Sequence, residues 1–68
     1  MIIISVNGER MACPANLELR DLLKHLGYQP EVVVVELNGE ILSRSQWGGR
    51  TVVESDVMEV VTIVGGGT

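Results

Sequence analysis

Runs of mainly hydrophobic residues near both ends of the chain are typical of β-strands, in which every second side chain lies on the same face. In the first segment, Met1–Val6, the side chains of Ile2, Ile4 and Val6 share one face, and the last apolar segment is Val57–Val64. β-Branched residues dominate both segments and favour strands. The other predicted strands are Arg10–Cys13, Val32–Leu37 and Ile41–Leu42, with Thr51–Val53 as either a small strand or an extended link.

One segment has the spacing of a helix instead. Four leucines recur at i, i+3, i+4 and i+7 and form a single apolar stripe: Leu19, Leu22, Leu23 and Leu26. Asn16 is a good N-cap residue, and Gly27 is a residue at which helices commonly end. These features together predict one main helix at about residues 17–26.

Two Asn-Gly dipeptides, Asn7-Gly8 and Asn38-Gly39, predict tight hairpin turns, because both central positions of a type I′ turn need positive φ angles. The helix must pack its leucines onto one face of a mixed sheet of four or five strands, with the apolar first and last strands at the centre. This is an α+β arrangement of the β-grasp, or ubiquitin-like, class. We expect one domain at residues 1–64, followed by a flexible glycine tail at 65–68.

Composition restricts the functions that this fold could have. Hydrophobic residues make up 46% of the chain, but its aromatic residues are only one Trp and one Tyr, and its net charge is −4. The sparse aromatic residues and the negative charge argue against nucleic acid and anionic membranes as partners. Cys13 is the only cysteine, so an internal disulfide is excluded, and no Cys/His cluster suggests a metal. Without a membrane span or a signal-like stretch, the expected location is the cytoplasm.

The last strand predicts a docking surface. Its outward positions are Val57, Glu59, Val61 and Ile63, and its inward positions are Met58, Val60, Thr62 and Val64, with Thr62 at the edge of the core. Because the helix covers only one sheet face, we expect Val61 and Ile63 to be exposed, with Val32 and Val34 extending the same apolar patch. Contiguous exposed apolar area indicates a partner, and the alternative is scattered surface residues or a strand buried on both faces.

After this strand the chain reads Gly65-Gly66-Gly67, a segment without side chains. A backbone without Cβ atoms can pass through a narrow channel, so a glycine carboxylate can enter the active site of another protein. Adenylation by ATP would then give that carboxylate a leaving group. The alternative is an ordinary frayed terminus.

Several segments together carry a family resemblance: the first strand with its Asn7-Gly8 turn, the helix ending LLKHLG, and the stretches VVVELNGEILSRSQW and ESDVMEVVTIVGGG. Over nearly its whole length, the chain resembles the ThiS family of sulfur carrier proteins of thiamin thiazole biosynthesis. The glycine motif is typical of ubiquitin-like carriers in general. The VNGE-like turn followed by Arg44 and Trp47 points to ThiS in particular.

The resemblance implies a carrier rather than an enzyme. A ThiF/MoeB-type activating enzyme would use ATP and Mg²⁺ to adenylate the carboxylate of Gly67, with Gly66 as its required neighbour and Gly65 as the lead-in. Sulfur relayed from a cysteine desulfurase or another donor would make a thiocarboxylate, and thiazole synthase would accept that sulfur. The carrier itself binds no cofactor. The alternatives are a carrier for molybdopterin or amino-acid biosynthesis, or a ubiquitin-like protein modifier.

Thr68 departs from the family pattern, in which the chain ends at the glycine. A β-branched residue would crowd both the channel and the incoming sulfur. Two interpretations are open: a peptidase trims Thr68, or Thr68 is an added or variant residue that blocks activation. Direct use of the Thr68 carboxylate fits the chemistry least well.

Three other side chains have both a structural and a functional interpretation. Cys13 is expected to pack as a small hydrophobic residue rather than to relay sulfur, because no basic neighbour in sequence would lower its pKa. His25 is expected in the last turn of the helix, where a positively charged side chain interacts favourably with the helix dipole. Trp47 is expected to anchor the loop at residues 43–50 to the sheet.

Charged residues complete the predicted docking surface. Arg44 either positions its loop or forms an ion pair with an activating enzyme. Glu54, Asp56 and Glu59 are expected to form a solvated acidic face that steers a basic partner. The candidate docking residues are therefore Val61, Ile63, Arg44 and Glu59.

Overall fold

Five strands and one α-helix make up the fold in a computed structural model, which describes residues 1–63. The strands are β1 (Ile2–Val6), β2 (Glu9–Cys13), β3 (Val33–Leu37), β4 (Glu40–Leu42) and β5 (Val57–Thr62). The helix α1 spans Leu19–His25, and short 3-10 helices lie at Pro30–Val32 and Arg44–Gln46. Val64, predicted as the end of β5, lies outside the described residues.

The sheet has the order β2-β1-β5-β3-β4, with β5 at its centre and β1 beside it. β1 and β5 run parallel, with Ser5 opposite Val57 and Val6 opposite Met58, whereas the other neighbouring pairs are antiparallel. The mixed sheet with its first and last strands adjacent confirms the β-grasp prediction.

Both predicted Asn-Gly turns have the backbone that a type I′ turn requires. Asn7 and Gly8 have φ angles of 51° and 86°, and Asn38 and Gly39 have 52° and 86°. Each turn closes a hairpin, β1–β2 in the first case and β3–β4 in the second. These two turns are confirmed.

The helix begins later than predicted, and Asn16 does not cap it. Asn16 lies in a turn with a φ of 68°, and Glu18 occupies the N-cap position without a side-chain cap bond. Residues far away in the sequence bond the backbone at the start of the helix instead. Glu18 forms a β-bridge with Thr51, and the N–H of Leu19 donates to the carbonyl of Arg50 at 2.8 Å. The start of α1 is therefore decided by tertiary contact rather than by the local capping signal.

The helix ends where the sequence predicts. Gly27 has a φ of 96°, its N–H donates to the carbonyl of Lys24, and the N–H of Tyr28 donates to that of Leu23. This pair of bonds is the Schellman motif, in which a left-handed residue satisfies the last free carbonyls of a helix.

The core lies between α1 and one face of the sheet. Its fourteen buried residues are Ile4, Val6, Cys13, Leu19, Leu22, Leu23, Val33, Val35, Leu37, Leu42, Trp47, Val52, Met58 and Val60. Leu26, the fourth member of the predicted stripe, is half-buried against this cluster. The segment at Thr51–Val53, predicted as a small strand or an extended link, is not a strand. It forms one β-bridge at Thr51 and contributes the side chain of Val52 to the core.

Candidate functional site

The two faces of β5 differ sharply in exposure. Met58 and Val60 point into the core and are 0% and 6% exposed, whereas Val61 and Ile63 on the opposite side are 61% and 53% exposed. Glu59 is exposed on the same outward side. The predicted exposure of Val61 and Ile63 is confirmed, because α1 covers only the inner face.

Neighbouring strands extend this exposed surface. Val34 lies directly opposite Val61, and Ile41 lies opposite Glu36 and is 70% exposed. We call these residues the outer sheet face: Val34, Glu36, Ile41, Val57, Glu59, Val61 and Ile63. The face mixes branched apolar side chains with two carboxylates.

Two residues depart from the predicted arrangement. Val32 does not extend the patch, because it lies in the 3-10 turn before β3 and packs half-buried against the core. Thr62 is exposed rather than at the edge of the core. It lies at the last position of β5, beyond the core residue Val60.

Asparagine side chains hold β5 at two points. Oδ1 of Asn7 accepts from the N–H of Val60 at 2.7 Å, while its Nδ2 donates to the carbonyl of Val60 and to the hydroxyl of Tyr28, both at 3.2 Å. Oδ1 of Asn38 accepts from the N–H of Val57 at 2.9 Å. The Asn7 amide thus continues the β1–β5 pairing where β1 has ended. The turn prediction did not include these bonds.

The three predicted carboxylates lie at the surface, where Glu54 and Glu59 are exposed and Asp56 is half-buried. Glu54 and Asp56 also accept hydrogen bonds from backbone N–H groups. Oε1 of Glu54 accepts from the N–H of Ile3 at 2.9 Å. The carboxylate of Asp56 accepts from the N–H of Val53 and from Nδ2 of Asn38, at 2.9 and 3.0 Å. Of the three predicted carboxylates, only Glu59 belongs to the outer sheet face.

Arg44 and Trp47 organise the loop that follows β4. Arg44 donates a hydrogen bond to the carbonyl of Glu31, next to Val32, whose own carbonyl accepts from the N–H of Ile63 at 2.6 Å. Trp47 is 3% exposed, and its Nε1 donates to the carbonyl of Leu42 at 3.2 Å. The anchoring function of Trp47 is confirmed. Arg44 positions its loop, and its contact with a partner stays a prediction.

Cys13 is a buried core residue with 0% exposure. Burial raises the pKa of its thiol above the ordinary value, the nearby N-terminal ammonium group lowers it, and the carboxylate of Glu54 raises it. A protonated, enclosed thiol cannot act as a nucleophile, which confirms the packing interpretation. His25 lies exposed in the last turn of α1.

The chemistry-bearing residues predicted from the sequence, Gly65, Gly66 and Gly67, lie outside the described residues, as does Thr68. Within residues 1–63, no three His, Cys, Asp or Glu side chains are grouped so that they could hold a metal ion. The same part of the chain contains no helix that is long and apolar enough to cross a membrane.

Comparison with known protein families gives one clear match. The model of the ThiS family matches residues 4–67, which includes the glycine run. A solved structure of the thiamine biosynthesis protein ThiS from Geobacter metallireducens superimposes with a TM-score of 0.81 at 36% identity, covering 97% of this chain and 100% of that one.

Two curated relatives are similar over almost the whole chain. A thiazole synthase from Magnetococcus marinus is 42% identical over 94% of this chain, which spans only 20% of the length of that relative. The uncharacterized protein ycf40 from Pyropia yezoensis is 39% identical, and the match covers 97% of this chain and 93% of that one.

Proposed function

The chain belongs to the ThiS family of sulfur carrier proteins, and we propose that it carries sulfur for thiamin thiazole synthesis as a thiocarboxylate on Gly67. The observation that carries this proposal is that the family match extends through the glycine run to residue 67 on a β-grasp body. Gly66 and Gly65 serve as the narrow segment that leads the carboxylate into the enzymes that act on it.

The proposed chemistry needs three steps, and the first is hydrolysis of the Gly67–Thr68 peptide bond by a peptidase, which frees the Gly67 carboxylate. The Gly67 carboxylate attacks the α-phosphate of ATP in an activating enzyme of the ThiF/MoeB type, which forms an acyl adenylate and releases pyrophosphate, with Mg²⁺ supplied in that enzyme. Hydrosulfide then attacks the acyl carbon. Where the donor is the persulfide of a cysteine desulfurase, a thiol reductant first cleaves its S–S bond and so releases this hydrosulfide. AMP leaves with the electron pair of the broken C–O bond, and the thiocarboxylate remains.

Thiazole synthase is the proposed acceptor of this sulfur. Its support is that two thiazole synthases, from Magnetococcus marinus and Paramagnetospirillum magneticum, contain a segment 42% and 35% identical to this chain. A segment similar to this chain inside two polypeptides named thiazole synthase supports the proposal that the carrier delivers its sulfur to this enzyme.

The body contributes the surface on which these enzymes dock. Val61 and Ile63 lie exposed shortly before the glycine run, so a partner that covers them also has the carboxyl-terminal segment within reach. Glu59 on the same strand and Arg44 on the adjoining loop are the proposed polar contacts. The carrier supplies a docking surface and a reacting carboxylate, and its partners supply the catalytic groups.

The test is an intact-mass measurement. Two forms, one with Thr68 and one that ends at Gly67, are incubated with the activating enzyme, ATP, Mg²⁺ and sulfide. We expect the form that ends at Gly67 to gain the mass difference of one oxygen replaced by sulfur, and the form with Thr68 to stay unchanged. Failure of both forms to take up sulfur would contradict the proposal, and uptake on a chain that still carries Thr68 would contradict the assignment to Gly67.

A further inference from the structure

We propose that the outer sheet face binds its partner protein around a cationic side chain of that partner, an arginine or lysine, which lies between Glu36 and Glu59. This inference rests on the proposed function, because the partners are the enzymes named there. The inference adds a charge-based criterion by which the outer sheet face selects one partner surface among several apolar ones.

The register of the sheet brings the two carboxylates together. Glu36 of β3 and Glu59 of β5 are directly opposite each other in the antiparallel pair. Residues that face each other in this way have Cβ atoms about 5 Å apart and project to the same side of the sheet. Both side chains therefore begin close enough for one guanidinium or ammonium group to bond both carboxylates.

Apolar side chains surround the carboxylate pair. Along β5, Glu59 lies between Val57 and Val61 in the outward row, and both valines are exposed. Across the sheet, Glu36 has Ile41 on its other side, and Val34 is the preceding outward residue of β3. A flat partner surface that covers these four side chains must also cover the two carboxylates.

The negative charge of the Glu36–Glu59 pair determines which kind of partner surface can cover it. Like charges directly opposite on neighbouring strands destabilise a sheet. Within residues 1–63, the one ion pair joins Arg20 to Glu31 at 3.5 Å, away from this face, so neither carboxylate is neutralised by an ion pair with the described residues. Burying two unpaired carboxylates under an apolar surface would impose a large desolvation penalty on each ion. A partner that supplies a cation at this point removes that penalty and relieves the repulsion.

The same charge arrangement disfavours other occupants. A second copy of this chain packed on the face through a two-fold axis would bring two acidic pairs against each other. Nucleic acid and anionic lipid would be repelled by the carboxylates. A protein surface that is apolar at its rim and cationic at its centre is the partner that fits.

The test compares binding with stability. The affinities of the full chain for purified activating enzyme and for purified thiazole synthase are measured by calorimetry at low and high salt, for the parent and for Glu36→Gln, Glu59→Gln and the double variant. The control is Asp21→Asn, which removes one negative charge from the exposed side of α1. Val61→Ala tests the apolar part of the face, and a melting curve of each free variant tests its fold.

We expect the double variant to bind at least one of the two enzymes about tenfold more weakly or worse, with a smaller salt dependence than the parent. Its melting temperature is expected to stay the same or to rise by about 2–4 °C, because the repulsion is gone. The control should bind like the parent. Binding and stability thus change in opposite directions, which a merely structural role of the two residues would not produce.

Three results would overturn this inference. If the double variant binds both enzymes as tightly as the parent while Val61→Ala binds more weakly, the docking face stands and the central cation is wrong. If Asp21→Asn weakens binding as much as the Glu variants, the effect is one of net charge and not of this pair. If the parent binds neither enzyme, the proposed function fails together with the inference.

Discussion

Asn7 and Asn38 each hold the first central position of a type I′ turn and also form hydrogen bonds to β5. The turn requires a positive φ, which asparagine tolerates better than most residues. The side-chain amide is then free to take up backbone groups of the central strand, at Val60 in one case and at Val57 in the other. Each of the two asparagines thereby closes a hairpin and also fixes the position of β5, the strand that precedes the glycine run.

Replacing Asn7 by glycine separates these two functions, because glycine keeps the positive φ and removes the amide. We expect Asn7→Gly to lose about 1–3 kcal/mol of unfolding free energy, because the half-buried N–H of Val60 loses its acceptor. The measurement is urea unfolding followed by circular dichroism. Asn16→Gly is the matched control, since Asn16 also has a positive φ, 68°, and makes no side-chain hydrogen bond with residues 1–63. Equal losses in the two variants would contradict the importance of the Asn7–Val60 bonds.

The thiol of Cys13 makes stability depend on pH in the alkaline range. Its pKa is raised in the folded state, mainly by burial, so the folded chain keeps its proton at a pH where the unfolded chain has lost it. The unfolded state then binds fewer protons, and stability falls as pH rises above the ordinary thiol pKa of about 8.5.

We therefore expect the unfolding free energy of the parent to decrease above about pH 8.5 more steeply than that of Cys13→Ala. The alanine variant is less stable at neutral pH because it leaves a small cavity, so the comparison is between slopes and not between absolute values. Urea unfolding at a series of pH values gives both slopes. Parallel curves would show that Cys13 does not contribute to the pH dependence.

At the scale of elements, β5 joins the core to the carrier terminus. Its inward residues, Met58 and Val60, are buried, while Val61 on its other face is open to a partner. Both neighbouring strands and two asparagine side chains hold it in place. The proposed docking face lies on the central strand, so we expect it to keep its shape, because moving that strand would disrupt the whole sheet.

Val61→Ala tests the apolar part of that face. Since the side chain is 61% exposed, its truncation is expected to change the unfolding free energy by less than about 0.5 kcal/mol. Truncating an apolar contact in an interface typically costs about 1 kcal/mol of binding, so the affinity for the activating enzyme should fall about fivefold. Calorimetry gives the affinity and thermal unfolding gives the stability.

The control is Val53→Ala, at a residue 59% exposed in the segment before β5 and at the other end of that strand from Ile63. It should leave both quantities unchanged. If both variants bind more weakly to the same degree, Val61 is not a specific contact with the partner.

At the scale of the whole molecule, the described core and the glycine run that we propose to carry sulfur lie in different parts of the chain. Within residues 1–63, the fourteen buried core residues lie between Ile4 and Val60. The glycine run follows after residue 64. The stability of a chain of this length depends on its core, so we expect changes in the glycine run, which has no side chains to bury, to alter the unfolding free energy little.

A chain that ends at Val64 is therefore expected to unfold within about 0.5 kcal/mol of the parent and to accept no sulfur. The variant Gly66→Ala, made in the form that ends at Gly67, should likewise keep its unfolding free energy. The activating enzyme should convert much less of this variant to the thiocarboxylate. Thermal unfolding and intact mass are the two measurements. A large loss of stability on truncation would show that the tail contributes to the fold.

The sequence alone was sufficient for most of the architecture, because its signals are local. The alternation of β1 and β5, the leucine spacing of α1 and the two Asn-Gly turns each depend on a few neighbouring residues, and all are found in the structure. Period-two spacing also indicated that Val61 and Ile63 face outward. The nature of the site came from the glycine run and the family resemblance rather than from any geometry.

Tertiary structure decided what depends on residues far apart in the chain. Asn16 has the local signal of an N-cap, yet the helix begins only at Leu19, because Arg50 and Thr51 take its first backbone groups. The pairing of Glu36 with Glu59 requires the register of two strands that are more than twenty residues apart. Such a register is set by which side chains pack together in the core, and this information is distributed over the whole chain rather than contained in either strand.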